Sequence, residues 1–523
     1  MAGMLLQLAR QACLFFGELW STNTYEVALV LSGVGLLTLY LYRQPRTNVP
    51  MISGGYPLLG HLHLFSNTVR YFAEAHAKYG DIFRFRLCGY EYYVVNGKLI
   101  FEGFRRFKDL SFYEALPRSA LVTSFFGEQD TSDTSHIHLL RTTLPKKFDV
   151  VMDNIQRILE AKTHETLAVA ADGAIGVKVI DQPYLWSVQV VGSAIAQFLF
   201  GPELGTDPEM FMLMLRLPEN ASTLFNYSRI FPLWVMDFWV QNFTAWPEHR
   251  RTIRKHVIPE IERRLAAQAL PEADRPAPPE DLLQWMIEVQ PRDHADWMDR
   301  CARRMLAMSF ASVHTTSFMF HRILAHLSSC PELRAKLRAE QRTVVERSGP
   351  LTSPAALDAM VLLDACIQEA SRTANQAAAF QRVTTVDTVF ANGQNIPKGS
   401  TVYLSPVAIN CSAELYGEDW DTFRPERFLE GAAGRDADEK TKAYTKSTAI
   451  RQDLLSFGSG RHVCPGRFLA VSEIKRMLCI LLRRYDFETA SGTPFVFNKV
   501  LLQDEVVDQP LRFIPLDDPV TGE

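Results

Sequence analysis

Hydrophobic and polar positions alternate with a period of two through DIFRFRL, where Phe83, Phe85 and Leu87 interleave with Arg84 and Arg86. That alternation predicts a half-buried strand. CGYE then reads as a turn, and YYVV as the returning strand of a hairpin. From about residue 140 to 380 the spacing becomes helical. Within it, RRMLAMSFASVHTTSFMFHRIL is apolar all round, so 301–328 predicts a helix buried at the centre of the fold. A further helix is expected over 333–345. A second strand-rich patch, punctuated by the turn residues NGQNIPKGS, covers 380–405. The last long helix is predicted over 466–484, with Phe468, Val471, Ile474, Leu478 and Leu481 on one face. LPEADRPAPPEDL (270–282) reads as a surface loop, and no repeat or internal linker interrupts the pattern. These elements predict one large domain over 61–523, mainly α with small β-sheets.

The N-terminal stretch follows a different rule. VALVLSGVGLLTLYLY (27–42) holds sixteen residues without a charge, after Glu26 and before Arg43 and Arg46. A spanning helix needs about 20 apolar residues, so the segment is short, and a buried core helix is the competing reading. A cleaved signal peptide fits less well, because the run starts late and its C-terminal flank is basic and bulky. The segment is read as a single transmembrane anchor, with 1–26 lumenal and 43–60 a proline-rich connector. The arginines that follow place the bulk of the chain in the cytosol. Formal net charge over 523 residues is -4, which gives no global signal for nucleic acid. Eight scattered cysteines form no Cys-x-x-Cys pair, a pattern of reduced thiols and not of a disulfide framework.

Candidate chemistry concentrates in SFGSGRHVCPGRFLA, 456–470. Cys464 stands where a glycine-rich loop meets a helix start, and the N–H groups and partial positive charge there favour thiolate. Glycines 458, 460 and 466 let backbone approach a sulfur or a flat ligand closely. On this ground alone Cys464 could be an inert buried thiol, a nucleophile, or a zinc ligand with His462, although neither of the last two has identifiable partners.

The full spacing, Phe457-x-x-Gly460-x-His462-x-Cys464-x-Gly466, resembles the haem-binding signature of the cytochromes P-450, the haem-thiolate monooxygenases. Only His462 departs from it, standing where many members carry arginine. The resemblance implies haem b, with Cys464 as the thiolate ligand to iron and Phe457, Gly458, His462 and Gly466 around it. It also implies the cytochrome P-450 fold behind the N-terminal anchor. Upstream, CIQEASR supplies Glu369 and Arg372, and DTFRPERFL supplies Arg427. In the family these three lock together behind the haem, a structural role. Arg382 matches a position that sends a cation to a haem propionate. Where the family often has Trp-x-x-x-Arg, HIHLLR puts Ile137 in the tryptophan's place and leaves Arg141 as the propionate contact.

Ala311-Ser312-Val313-His314-Thr315-Thr316 looks like the family's oxygen-activation segment. The resemblance gives Thr315 the hydroxyl that passes protons and places His314 where an acid is usual. A histidine there can relay protons near neutral pH, or point away and pack. A His-Thr-Thr version resembles fungal secondary-metabolism members. The expected activity is therefore insertion of one oxygen atom from dioxygen into an apolar small molecule such as a terpenoid or alkaloid. A NADPH-dependent reductase at the endoplasmic reticulum membrane would supply electrons. Arg461, Arg467, Lys475, Arg476, Arg483 and Arg484, against the single acid Glu473, suggest its dock. The aromatic FPLWVMDFWV (231–240) suggests a substrate channel or a bilayer contact. Two rivals stand beside this reading: a reductase-independent haem isomerase of the same fold, and a non-enzymatic haem-binding protein.

Overall fold

The structure is a computed structural model that describes residues 47–56, 59–115, 134–167, 176–227, 233–290, 292, 294–374, 380–429, 444–500 and 503–517. The expected anchor at 27–42 lies outside the described residues. The predicted hairpin forms from β1 (Ile82–Leu87) and β2 (Tyr90–Val95), antiparallel with Ile82 opposite Val95 and Leu87 opposite Tyr90. Its two-residue turn needs positive φ twice, met by Cys88 at 45° and Gly89 at 85°. The end of the proline-rich segment docks on this hairpin, with Ile52 N–H donating to Arg84 O at 2.9 Å and Arg84 N–H to Pro50 O at 2.9 Å.

The other strands come from distant parts of the chain. β3 (Leu110–Ser111), β5 (Phe380–Thr384) and β8 (Thr401–Leu404) complete a five-stranded sheet in the order β1-β2-β8-β5-β3. β4 (Lys178–Ile180) joins β9 (Tyr485–Thr489) and β12 (Leu511–Pro515) in a smaller sheet. Two two-stranded sheets remain: β6 (Thr388–Val389) with β7 (Asn395–Ile396), and β10 (Phe497–Val500) with β11 (Gln503–Val506).

Helices form the bulk. In chain order the longer ones are α1 (Thr68–Tyr79), α2 (Leu99–Arg105), α3 (Ser135–Thr142), α4 (Phe148–Leu167), α5 (Pro183–Gly205), α6 (Pro208–Tyr227), α7 (Leu233–Phe243), α8 (Trp246–Gln268), α9 (Leu282–Val289), α10 (Trp297–Ser328), α11 (Pro331–Ser348), α12 (Pro354–Ala359), α13 (Val361–Thr373) and α14 (Arg467–Arg484). α10 is the predicted central helix, 32 residues long, and it packs against α5, α8, α13 and α14. Only α5, among the described residues, is long and apolar enough to cross a membrane, and 78% of its apolar window is buried inside the protein. It is a core helix.

The last helix corrects one expectation. Val471, Ile474, Leu478 and Leu481 are buried, but Phe468 is 48% exposed. It lies in the first turn of α14, where the Arg467 guanidinium stacks over its ring at 4.3 Å.

Candidate functional site

The cysteine loop is closed by its own backbone, with Cys464 N–H donating to Phe457 O at 3.0 Å. Two glycines with positive φ shape it, Gly458 at 74° and Gly460 at 68°. A Cβ at Gly458 would lie 3.2 Å from the Phe380 ring on β5, and one at Gly460 would lie 3.1 Å from Phe104 O on α2. The loop thus packs closely against sheet and helix at both glycines. Gly466 caps α14 and adjoins open space. Cys464 is partly accessible. Burial pushes its thiol up from the ordinary range, while the N–H groups of Gly466 and Arg467 and the Arg467 guanidinium pull against that shift. These donors favour sulfur carrying negative charge, and a cation bound to the sulfur would add to them.

Around this loop lies a set of cations. Arg382, on β5, is 4% exposed, and its only hydrogen bond among the described residues runs to Gln381 O at 2.7 Å. Phe104 and Phe112 flank its guanidinium at 5.9 and 5.2 Å. Burial with no carboxylate beside it lowers Arg382 to about 10. Arg141, on α3, donates to Arg461 O at 2.9 Å and so reaches the cysteine loop. His462 packs against Phe112 and Tyr113, and burial followed by the charges of Arg382, Arg461 and Arg141 lowers it to about 4. A buried cation without a counter-charge is costly. This cluster has the field of a site built for an anion.

The central helix α10, which packs against α14, carries the other candidate residues. Ala311 and Thr315, one turn apart, are exposed, although Val313, Thr316 and Ser317 beside them are buried. Two small side chains facing space from a central helix leave room for a ligand. Thr315 Oγ1 donates to Ala311 O at 2.8 Å, the bond a helical threonine makes to its own backbone. His314 is turned to other helices: Nδ1 is 2.8 Å from the Tyr184 hydroxyl on α5, and Nε2 is 3.3 Å from Met214 O on α6. Burial lowers His314, partly opposed by the carbonyls of Met214 and Leu215.

Behind the loop the structure brings Glu369, Arg372 and Arg427 together. Arg372 grips Glu369 with two bonds of 2.8 Å, and Arg427 Nε adds a third at 3.0 Å. Arg372 also donates to Asn410 O at 2.7 Å, and Arg427 to Asp419 O at 3.0 Å and Thr422 O at 3.1 Å. A second hub was not anticipated. Asp364, on α13, accepts from Tyr444 Oη at 2.7 Å, Ser447 N–H at 2.7 Å, Ser447 Oγ at 2.8 Å and Lys475 Nζ at 2.8 Å. It fastens the segment leading into the cysteine loop. The only sequence signal for it is an acid inside the apolar run VLLDACI.

Lys475 also revises the expected basic dock. Lys475, Arg476 and Arg483 are 5%, 2% and 7% exposed, and they turn inward to Asp364, Gln156 and Glu160. Their charges are spent on holding α14 in place, and only Arg461, Arg467 and Arg484 of the six remain accessible.

The residues fit a flat, anionic, metal-centred group: a sulfur donor at a helix start, a buried arginine with no carboxylate partner among the described residues, and small, exposed side chains on the central helix. The family model for "Cytochrome P450" matches residues 50–509. The chain is 25% identical to cytochrome P450 monooxygenase 151 of Postia placenta, over 90% of this chain and 95% of that one. It is 29% identical to cytochrome P450 monooxygenase olcJ of Penicillium canescens, over 74% and 73% of the two chains. With cytochrome P450 monooxygenase terQ of Tolypocladium album it shares 31% identity over 61% of this chain and 56% of the other.

Proposed function

The chain belongs to the cytochrome P450 family of monooxygenases, and we propose that it oxidises an apolar intermediate of fungal secondary metabolism, such as a terpenoid or alkaloid. Haem with a cysteine thiolate on its iron is the family's cofactor, and when bound it activates dioxygen for insertion of one oxygen atom. Cys464 is the proposed ligand. The observation that carries this reading is a sulfur backed by two N–H donors at the start of α14, near a buried arginine, Arg382, with no carboxylate partner among the described residues.

The chain's own residues then take these roles. Phe457, Gly458 and Gly466 hold the loop so that the sulfur faces the haem space. Arg382, Arg141 and His462 orient the propionates. Glu369, Arg372 and Arg427 keep the loop's foundation rigid without touching the chemistry. Thr315 supplies the hydroxyl that carries protons to the oxygen side, with His314 beside it on α10. Electrons come from a NADPH-dependent reductase docking near Arg461, Arg467 and Arg484. The protein is placed on the endoplasmic reticulum membrane by residues 27–42, its domain cytosolic. Exposed Phe238 and Phe243 on α7, 63% and 68% accessible, support a bilayer contact.

Expression of the wild type and Cys464→Ser in a reductase-bearing host tests the reading. The wild type should give a red-shifted Soret band when reduced under carbon monoxide, and products one oxygen heavier from fed apolar scaffolds. Cys464→Ser should lose both. Conversion of a scaffold without NADPH consumption would instead favour an isomerase, and haem binding with no turnover a binding protein.

A further inference from the structure

His314 is held from two sides, and the chemistry of its partners fixes the proton on its ring. Nε2 lies 3.3 Å from Met214 O, and a carbonyl can only accept. Nε2 therefore carries the hydrogen. Burial disfavours the charged ring, and in the neutral ring Nδ1 holds a lone pair that accepts from the Tyr184 hydroxyl at 2.8 Å. No charged side chain acts on His314 among the described residues. Tyr184 is itself located from several directions. It is the second residue of α5, its N–H donates to Asp508 Oδ1 at 3.1 Å, and its ring meets the buried His321 edge-on at 5.7 Å. The helices joined here are already close: a Cβ on Gly192 of α5 would stand 3.2 Å from Val313 of α10, the residue before His314.

We propose that Tyr184 is a positioning residue for the oxygen side of the site. Its hydroxyl locks His314 as the neutral Nε2–H tautomer, so that His314 ties α10 to α5 and α6. The tie sets how Ala311 and Thr315, on the neighbouring face of α10, present themselves to the haem space. His314 then serves Thr315 by placement and not by giving up a proton, since its one ring hydrogen is committed to α6. The inference rests on the proposed haem site and extends it to a helix, α5, outside the recognised motifs.

The test compares wild type, Tyr184→Phe and His314→Asn, labelled with 15N-histidine and held in the ferrous carbon-monoxide form, which is diamagnetic. The ring signals missing from His314→Asn belong to His314. In the wild type they should show a protonated Nε2 and a hydrogen-bonded, unprotonated Nδ1. In Tyr184→Phe, the Nδ1 signal should move to that of a bare lone pair or a mixture of tautomers, with the Soret band unchanged. Hydrogen peroxide released per NADPH consumed should rise by about fivefold, the scale of one lost hydrogen bond. An unchanged His314 signature in Tyr184→Phe would overturn the tie. A changed signature with unchanged peroxide release would overturn its effect on the oxygen side. Failure of the haem reading is distinct, because it appears in the wild type as a missing red-shifted Soret band.

Discussion

Arg382 is the side chain whose energetics depend most directly on what the site holds. Its guanidinium is 4% exposed, faces two aromatic rings and has no carboxylate among the described residues. A charge-assisted hydrogen bond is worth about 1.5–3 kcal/mol. Arg382→Met should therefore speed transfer of haem to an acceptor apoprotein by roughly 10- to 100-fold, since 1.4 kcal/mol is about a factor of ten. The apoprotein should be no less stable than wild type, because the substitution removes an uncompensated buried charge. Glu473 poses the opposite case. It is fully buried on α14, neither carboxylate oxygen has a partner among the described residues, and burial pushes it well above the ordinary carboxyl range. The unfolded chain releases this proton at lower pH than the folded one, so the contribution to stability is full below the unfolded value. It is lost as pH rises toward the folded one, at up to about 1.4 kcal/mol per pH unit. Thermal unfolding of Glu473→Met should show a higher Tm than wild type at pH 8, with the advantage shrinking toward pH 5. An advantage independent of pH would mean the carboxyl is not held neutral. Glu473 differs from Cys464 in legibility. Cys464 sits in a fixed local spacing, whereas the state of Glu473, like the contact of Tyr184 with His314 across 130 positions, depends on packing from remote segments.

Periodicity located the elements well and misjudged what their polar faces do. The hairpin at 82–95 and α10 form where alternation and all-round hydrophobicity place them. The basic residues of α14 look like a solvated stripe in one dimension, yet three of the six turn inward, because acids and amides from α4 and α13 wait there. The Asp364–Lys475 pair makes this testable. Burial works against ionisation of Asp364, but Lys475 and the donors Tyr444 and Ser447 overcome it and hold the carboxyl below its ordinary value. Asp364→Asn leaves Lys475 buried without its anion, and breaking such a pair costs about 3–5 kcal/mol. Lys475→Met alone should cost a similar amount. The double variant should cost clearly less than the sum, since neither charge is then stranded. Additive losses in chemical denaturation would show that the two do not act as a unit. The same hub secures 444–447, so Asp364→Asn should also reduce the fraction of protein that retains haem.

At the scale of the whole molecule, the proposed membrane contact and the proposed reductase dock fall on different parts of the described surface. Among the described residues, the most exposed phenylalanines lie on α7, where Phe238 and Phe243 meet edge to face at 5.9 Å while both remain largely accessible. The accessible arginines Arg461 and Arg467 lie instead at the cysteine loop and the start of α14. Two exposed phenylalanines in contact are a small apolar patch that water does not favour. Burying each in a bilayer interface gains about 1.5–3 kcal/mol. Residues 27–42 supply the longer, charge-free run. If both proposed contacts form, their strengths are unequal, and they separate experimentally. The full chain should resist alkaline carbonate extraction from microsomes. A variant lacking 1–42 should be extracted by carbonate yet still co-sediment with vesicles in neutral buffer. Adding Phe238→Ser and Phe243→Ser to that variant should lower its vesicle partition by roughly a hundredfold or more, with the carbon-monoxide spectrum preserved. A truncated protein that shows no vesicle binding at all would assign attachment to the N-terminal segment alone and leave α7 to line the path by which substrate enters.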